Sequence, residues 1–200
     1  MLPYACILFK VTRQYASTSP ELLAEALFDI AAARGLEAAS VREVAAAAGV
    51  SIGAVQHHFA TKDEMFGFAF AQLVSRVRAR VTRIDPSAPL PDRLAAALRQ
   101  LLPLDRQRER EARVMTAFAV RASTSPALAA IQREILAGIR RELAGLLHSA
   151  RVPRPELRAI LLLAAVDGLT LDMLSSASLY SPDEVADALD EQIGMVLSNT

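Results

Sequence analysis

Tryptophan is absent from this 200-residue sequence, tyrosine occurs three times, and Tyr180 is the only tyrosine beyond residue 15. An aromatic cage around a quaternary ammonium needs several such rings, so none is expected. Cysteine occurs once, at Cys6, which excludes an internal disulfide and any cysteine–histidine spacing of the metal-binding kind. No metal and no cofactor are expected, and a reducing, cytoplasmic setting fits. Charge of one sign is missing as well: 22 basic residues balance 22 acidic ones. That balance leaves a nucleic-acid partner open, because a local basic surface suffices and a larger domain can hide it in the sum. Long apolar runs are also lacking. Beyond the N-terminus the longest is Ala159 to Val166, far short of the ~20 residues of a membrane span, so no membrane partner is expected. Met1 to Phe9 is apolar but has neither a basic start nor a small-residue cleavage pattern. Residues 1–17 are therefore expected to be a tail or an upstream start rather than a signal peptide.

What is present is helix-forming. Apolar residues make up 52% of the chain, rich in Ala and Leu, and the length suits one large domain or a small one fused to a larger. Ser19-Pro20-Glu21 supplies a cap, a first-turn proline and an acid at the positive helix end, and Gly35 closes that helix. Ser40 with Glu43, and Thr61 with Glu64, have capping-box spacing. The second box opens a long helix to about Arg83. Ser51 caps another helix, with Val50 and Val55 placed as a hydrophobic staple. Further helices are expected at about 91–102, 105–122, 126–150, 155–176 and 182–197, two of them opened by Ser-Pro pairs. The expected fold is all-α, with about nine helices.

Residues 40–59 carry the functional pattern. Two short helices flank a turn at Gly49, where a sharp reversal needs a positive φ, and Ala45, Ala47 and Ala48 allow close approach. This is the spacing of a helix-turn-helix, whose second helix enters the major groove with its N-terminal residues near base edges.

The segment from Pro20 to Met65 resembles the DNA-binding domain of TetR-family regulators. The resemblance rests on Arg34-Gly35-Leu36, Ser40-Val41, Val44-Ala45, Ala48-Gly49-Val50-Ser51, Gly53, Phe59, Lys62 and Met65. Gln56 in place of the more usual tyrosine, followed by His57-His58-Phe59, is similar to the BetI-type subgroup. The resemblance implies a three-helix DNA-binding domain at 18–64 and a helical effector-binding and dimerisation domain at 65–200. It implies a homodimer on a double-stranded operator, released by a small-molecule effector. The last two helices would pair with their copies, using Leu161, Leu162, Ala165, Leu169 and Met173 on one and Val185, Leu189, Ile193, Met195 and Val196 on the other.

Ser51 and Gly53 suit a phosphate through a hydroxyl and backbone N–H groups, or are a plain cap and a poor helix former. Gln56 is the only amide on its helix able to make a bidentate contact to adenine, and Ile52 and Ala54 offer only apolar surface, as for a thymine methyl. His57 and His58 suit phosphates, or are surface residues without a fixed partner. As neighbours on a helix they point about 100° apart, which disfavours a metal pair. Lys62 sits where a cation is unfavourable at a helix start, which an external anion would explain. Arg42 fits a phosphate or base edge, with a solvated surface charge as the competing reading for it and for Lys62. From Lys10 to Lys62 the charges cancel, so nonspecific attraction to DNA is expected to be weak.

Phe70, Met115 and Phe118 are candidate walls of an effector cavity, with ordinary core as the competing reading, as for Phe66 and Phe68. Asp172, like Asp167, is an acid in an apolar helix, suited to local or interface bonding or to a cationic effector. No nucleophile motif or glycine-rich phosphate loop is present, so no enzyme is expected. The competing function is a helical small-molecule-binding protein without DNA binding.

Overall fold

The computed structural model describes residues 18–176 and 179–198; the N-terminal tail expected over 1–17, with Cys6, Lys10 and Arg13, lies outside them. The described residues form nine α-helices: α1 (Pro20–Arg34), α2 (Val41–Ala48), α3 (Ile52–His58), α4 (Lys62–Val81), α5 (Leu90–Leu98), α6 (Arg106–Ala122), α7 (Pro126–Ser149), α8 (Pro155–Ser175) and α9 (Pro182–Leu197). A 3₁₀ turn, Leu36–Ala38, joins α1 to α2. None of these helices is long and apolar enough to cross a membrane.

Local chemistry sets the helix starts. Oγ of Ser19, Ser40, Ser51, Ser125 and Ser181, Oγ1 of Thr61 and the Asp105 carboxylate each accept a backbone N–H from the first turn. The two expected capping boxes are only half made. Glu43 gives its carboxylate to Arg34 at 2.6 Å instead of returning to Ser40, because a charged donor outbids a neutral N–H. Glu64 accepts from the N–H of Ala60, one residue before the cap, at 2.8 Å. The reciprocal box forms at Ser181 and Glu184, where those hydrogen bonds hold the Glu184 carboxyl below its ordinary range.

Two helices stop earlier than their sequence pattern suggests. α4 ends at Val81, where the Thr82 hydroxyl donates back to the Ala79 carbonyl. α5 ends at Leu98, and residues 99–102 tighten into turns ahead of Pro103, which disfavours helical geometry in the residue before it.

The buried residues fall into two cores. The first joins α1, α2, α3 and α4 to Val114, Phe118 and Ala122 of α6 and Leu128 of α7. The second joins α5, the C-terminal part of α7, α8 and α9. Half-buried Leu101 packs against both. Charge links α6 to α1: Arg110 lies 2.6 Å from Asp29 and 3.7 Å from Glu25. A less exposed polar node ties α4 to α6. Arg80 forks onto Glu111 at 3.0 and 2.5 Å and donates to Gln100 at 3.0 Å, while Gln107 donates to Glu111 at 3.2 Å.

α4 and α7 meet closely at Gly67, where an added Cβ would stand 2.6 Å from Ile131 Cδ1. Gly67→Ala gains about 1 kcal/mol of helix propensity but strikes that methyl, which Ile131→Val removes at a cost of about 1 kcal/mol. The double variant is therefore expected to exceed the sum of the singles by about 1 kcal/mol in a urea-melt cycle. Strict additivity would show that the two side chains do not meet.

Candidate nucleic-acid interface

The α2–α3 reversal turns on Gly49, whose backbone is left-handed (φ 68°, ψ 28°) and whose N–H reaches the carbonyls of Ala45 and Ala46. The Val50 N–H then bonds to the Ala45 carbonyl at 3.0 Å. This is the positive-φ turn that the sequence demands, and it throws α3 across α2. The inner side of α3 is held by Val55, fully buried, with Val50 and Phe59 buried on either side of the helix. Ala54 is half-buried against the same core.

The outer side presents Ile52, Gly53, Gln56 and His57, all exposed. Ser51 is half-buried and its Oγ accepts from the Ala54 N–H at 3.1 Å, leaving its O–H free to donate. His58 turns inward: its Nε2 lies 3.3 Å from the Thr18 carbonyl and its ring meets His57 edge-on at 5.4 Å. Arg42 is exposed at the second position of α2. Lys62, first residue of α4, is half-buried, with its ammonium 5.1 Å from the Phe66 ring centroid and 3.4 Å from the Glu37 main-chain carbonyl. The structure thus brings Ile52, Gly53, Gln56 and His57 onto one exposed face, with Arg42 and Lys62 opening the neighbouring helices.

Two family models match separate parts of the chain. Residues 16–67 match the model of bacterial regulatory proteins of the tetR family, and residues 91–198 match the BetI-type transcriptional repressor C-terminal model. The chain belongs to the TetR family.

This TetR-family chain is a transcriptional regulator with a DNA-binding helix-turn-helix. It is 30% identical over 168 residues to the HTH-type transcriptional regulator PksA of Bacillus subtilis (strain 168), covering 82% of each chain. A solved transcriptional regulator from Rhodococcus sp. Rha1 shares 58% identity and a TM-score of 0.87, covering 90% of this chain and 96% of that one. The multidrug binding protein EbrR, solved in complex with imidazole, shares 26% identity and a TM-score of 0.65 over 92% of this chain and 98% of its own.

Within the regulator, the sequence-derived effector candidates separate. Phe70 and Phe118 stack face to face, ring centroids 3.8 Å apart and planes 3° from parallel, inside the first core. Met115 is half-buried against that core. Asp172 is exposed on α8. Asp167 is also exposed by area, yet partial desolvation of its carboxyl raises its pKa against the pull of Arg140. Two open depressions, of about 440 and 290 Å³, adjoin at Leu104 and Pro182, and neither is lined by any of these five residues.

Sequence reasoning missed the groups that connect the DNA-binding helices to the rest of the regulator. Asp63 accepts from Ser125 Oγ at 2.6 Å and from Arg121 at 3.4 Å. These partners lie about sixty residues apart in the chain, and no local pattern pairs them. Their residue types alone, two hydrogen-bonding side chains around the α6–α7 junction, were the only signal available.

Proposed function

We propose that the chain is a repressor that binds a palindromic operator as a homodimer and releases it when a small-molecule effector binds. The observation that carries the reading is the exposed outer side of α3, backed by buried Val55. Gln56 pairs with an adenine edge, and Ile52 and the half-buried Ala54 meet apolar base surface. Arg42, Ser51, Gly53, His57 and Lys62 position the protein on phosphates, while His58, turned toward the Thr18 carbonyl, supports His57 from behind. Residues 18–64 read DNA, and 65–200 sense the effector and dimerise. The regulator works in the cytoplasm, where its operator is.

Dimerisation is supported by an apolar surface that has no partner among the described residues. Ile160, Leu161 and Leu171 of α8 and Met195 of α9 are exposed by 43–56%. Leu162, Val185, Leu189, Ile193 and Val196 serve the second core instead, with Ala165, Leu169 and Met173 half-buried. Covering this apolar face with its copy sets two recognition helices about 34 Å apart, one turn of DNA. Effector binding then shifts the dimer between a shape that fits adjacent grooves and one that does not. The drug-binding description of the similar EbrR supports a small-molecule effector.

Selection from a random duplex pool tests this reading. An inverted repeat with an A·T pair under Gln56 is expected. Gln56→Ala should then lose about 1–3 kcal/mol of discrimination at that pair. Lys62→Ala should weaken all sequences alike and flatten the salt slope by about one per subunit. Enrichment of an asymmetric site, or G·C at every central half-site position, would overturn it.

A further inference from the structure

Lys62 is engaged inside the protein before any phosphate reaches it. Glu37, in the 3₁₀ turn between α1 and α2, places Oε2 3.9 Å from Lys62 Nζ and Oε1 3.9 Å from Arg121 Nε on α6. One carboxylate therefore faces two cations that belong to different parts of the molecule. The Glu37 side chain is 77% exposed, free to lean toward either. The Arg121 Nε is buried and, among the described residues, has no hydrogen-bond partner. At 3.9 Å the Glu37 oxygen is too far to satisfy it, yet a small shift of α6 would bring it into range.

We propose that Lys62 and Arg121 compete for Glu37, so that the position of α6 sets how freely Lys62 reaches DNA. The proposal rests on the reading that Lys62 meets a phosphate. When α6 brings Arg121 onto Glu37, the buried N–H is satisfied, the carboxylate is neutralised and Lys62 is released to the backbone. When α6 draws away, Glu37 falls back on Lys62 and holds a negative charge beside the approaching phosphate. Phe118 stands one turn before Arg121 on the same helix, with its ring stacked on Phe70 of α4. Any effector that repacks that aromatic pair therefore moves Arg121 with it. Glu37 and Arg121 are positioning residues in this scheme: they act on DNA through Lys62.

Fluorescence anisotropy on the selected duplex, at several salt concentrations, tests the competition. An exposed ion pair contributes up to about 1 kcal/mol, so Glu37→Gln should tighten binding about two- to five-fold per subunit and steepen the salt slope by up to about one. Lys62→Met should weaken binding, and in that background Glu37→Gln should have no further effect. Arg121→Met should weaken binding in the wild type and not in Glu37→Gln, a dependence that a merely structural arginine would not show. Equal tightening by Glu37→Gln with and without Lys62 would overturn the competition, since it would then be a general charge effect. No tightening by Glu37→Gln, with Lys62→Met still weakening, would overturn it while leaving the phosphate reading intact. If Lys62→Met leaves binding unchanged, the phosphate reading falls and the competition falls with it.

Discussion

Phe118→Ala is expected to cost about 3–5 kcal/mol, the range for emptying an aromatic site in a close-packed core. Its ring is 1% exposed and lies flat against Phe70, so no solvent-facing room exists into which the site can collapse without moving α4 or α6. The larger expectation concerns where the damage spreads. Phe118 shares one buried cluster with Leu23, Leu27, Val44, Val55 and Met65. The DNA-binding helices should therefore lose stability together with α6. Hydrogen exchange would show this directly, as protection of α1 and α6 amides falling by similar free energies. A helix-turn-helix that kept its full protection while α6 opened would show that the recognition helix rests on a separate unit.

The second large effect sits at the Arg80–Glu111 node. Glu111 keeps 10% of its side chain exposed and Arg80 keeps 24%. Removing one member leaves the other charge in a poorly hydrated place, which costs several kcal/mol when a buried pair is broken. With a quarter of Arg80 still wet, about 3 kcal/mol is expected for Glu111→Leu, the lower end of that range. For a chain of this size that is roughly 6–12 °C in Tm. Arg80→Met with Glu111→Leu should recover most of the loss and fall within about 1 kcal/mol of the wild type, because both charges leave together. Gln100 keeps the bond from its Nε2 to the Ala96 carbonyl but loses the Arg80 donor to the Oε1 of its half-buried side chain. Gln107 is exposed to water, so one freed acceptor accounts for the remaining difference. A double variant no more stable than Glu111→Leu alone would mean that the node is held by packing rather than by charge.

Much of the fold was legible because helix starts are local events. A serine, threonine or aspartate cap and the N–H groups it satisfies lie within four residues, so Ser19, Ser51, Thr61 and Ser181 announce themselves in the sequence. The outward side of α3 was legible for the same reason: Val55 and Phe59 fix its buried side by spacing, so Gln56 and at least one histidine must face out, and the structure makes that one His57. What was hidden is whatever depends on a second helix. Glu43 has capping-box spacing but answers to Arg34. Leu161 and Met195 read as equals of Leu162 and Val196, yet face outward. Phe70 and Phe118, read as possible walls of a cavity, are each other's neighbours. In each case the deciding partner lies on another turn or another helix, beyond the reach of periodicity.

The division of the interior into two cores bears on how such regulators are recombined. A junction cut after residue 67, where the matched DNA-binding segment ends, would pass through the first core, separating Phe70, Leu73 and Phe118 from Val44 and Val55. A hybrid that borrows only the recognition segment inherits half of a jigsaw. One that borrows α1 to α4 together with α6 and the start of α7 inherits a whole one, and leaves α5, α8, α9 and the end of α7 free to diverge toward a new chemical signal.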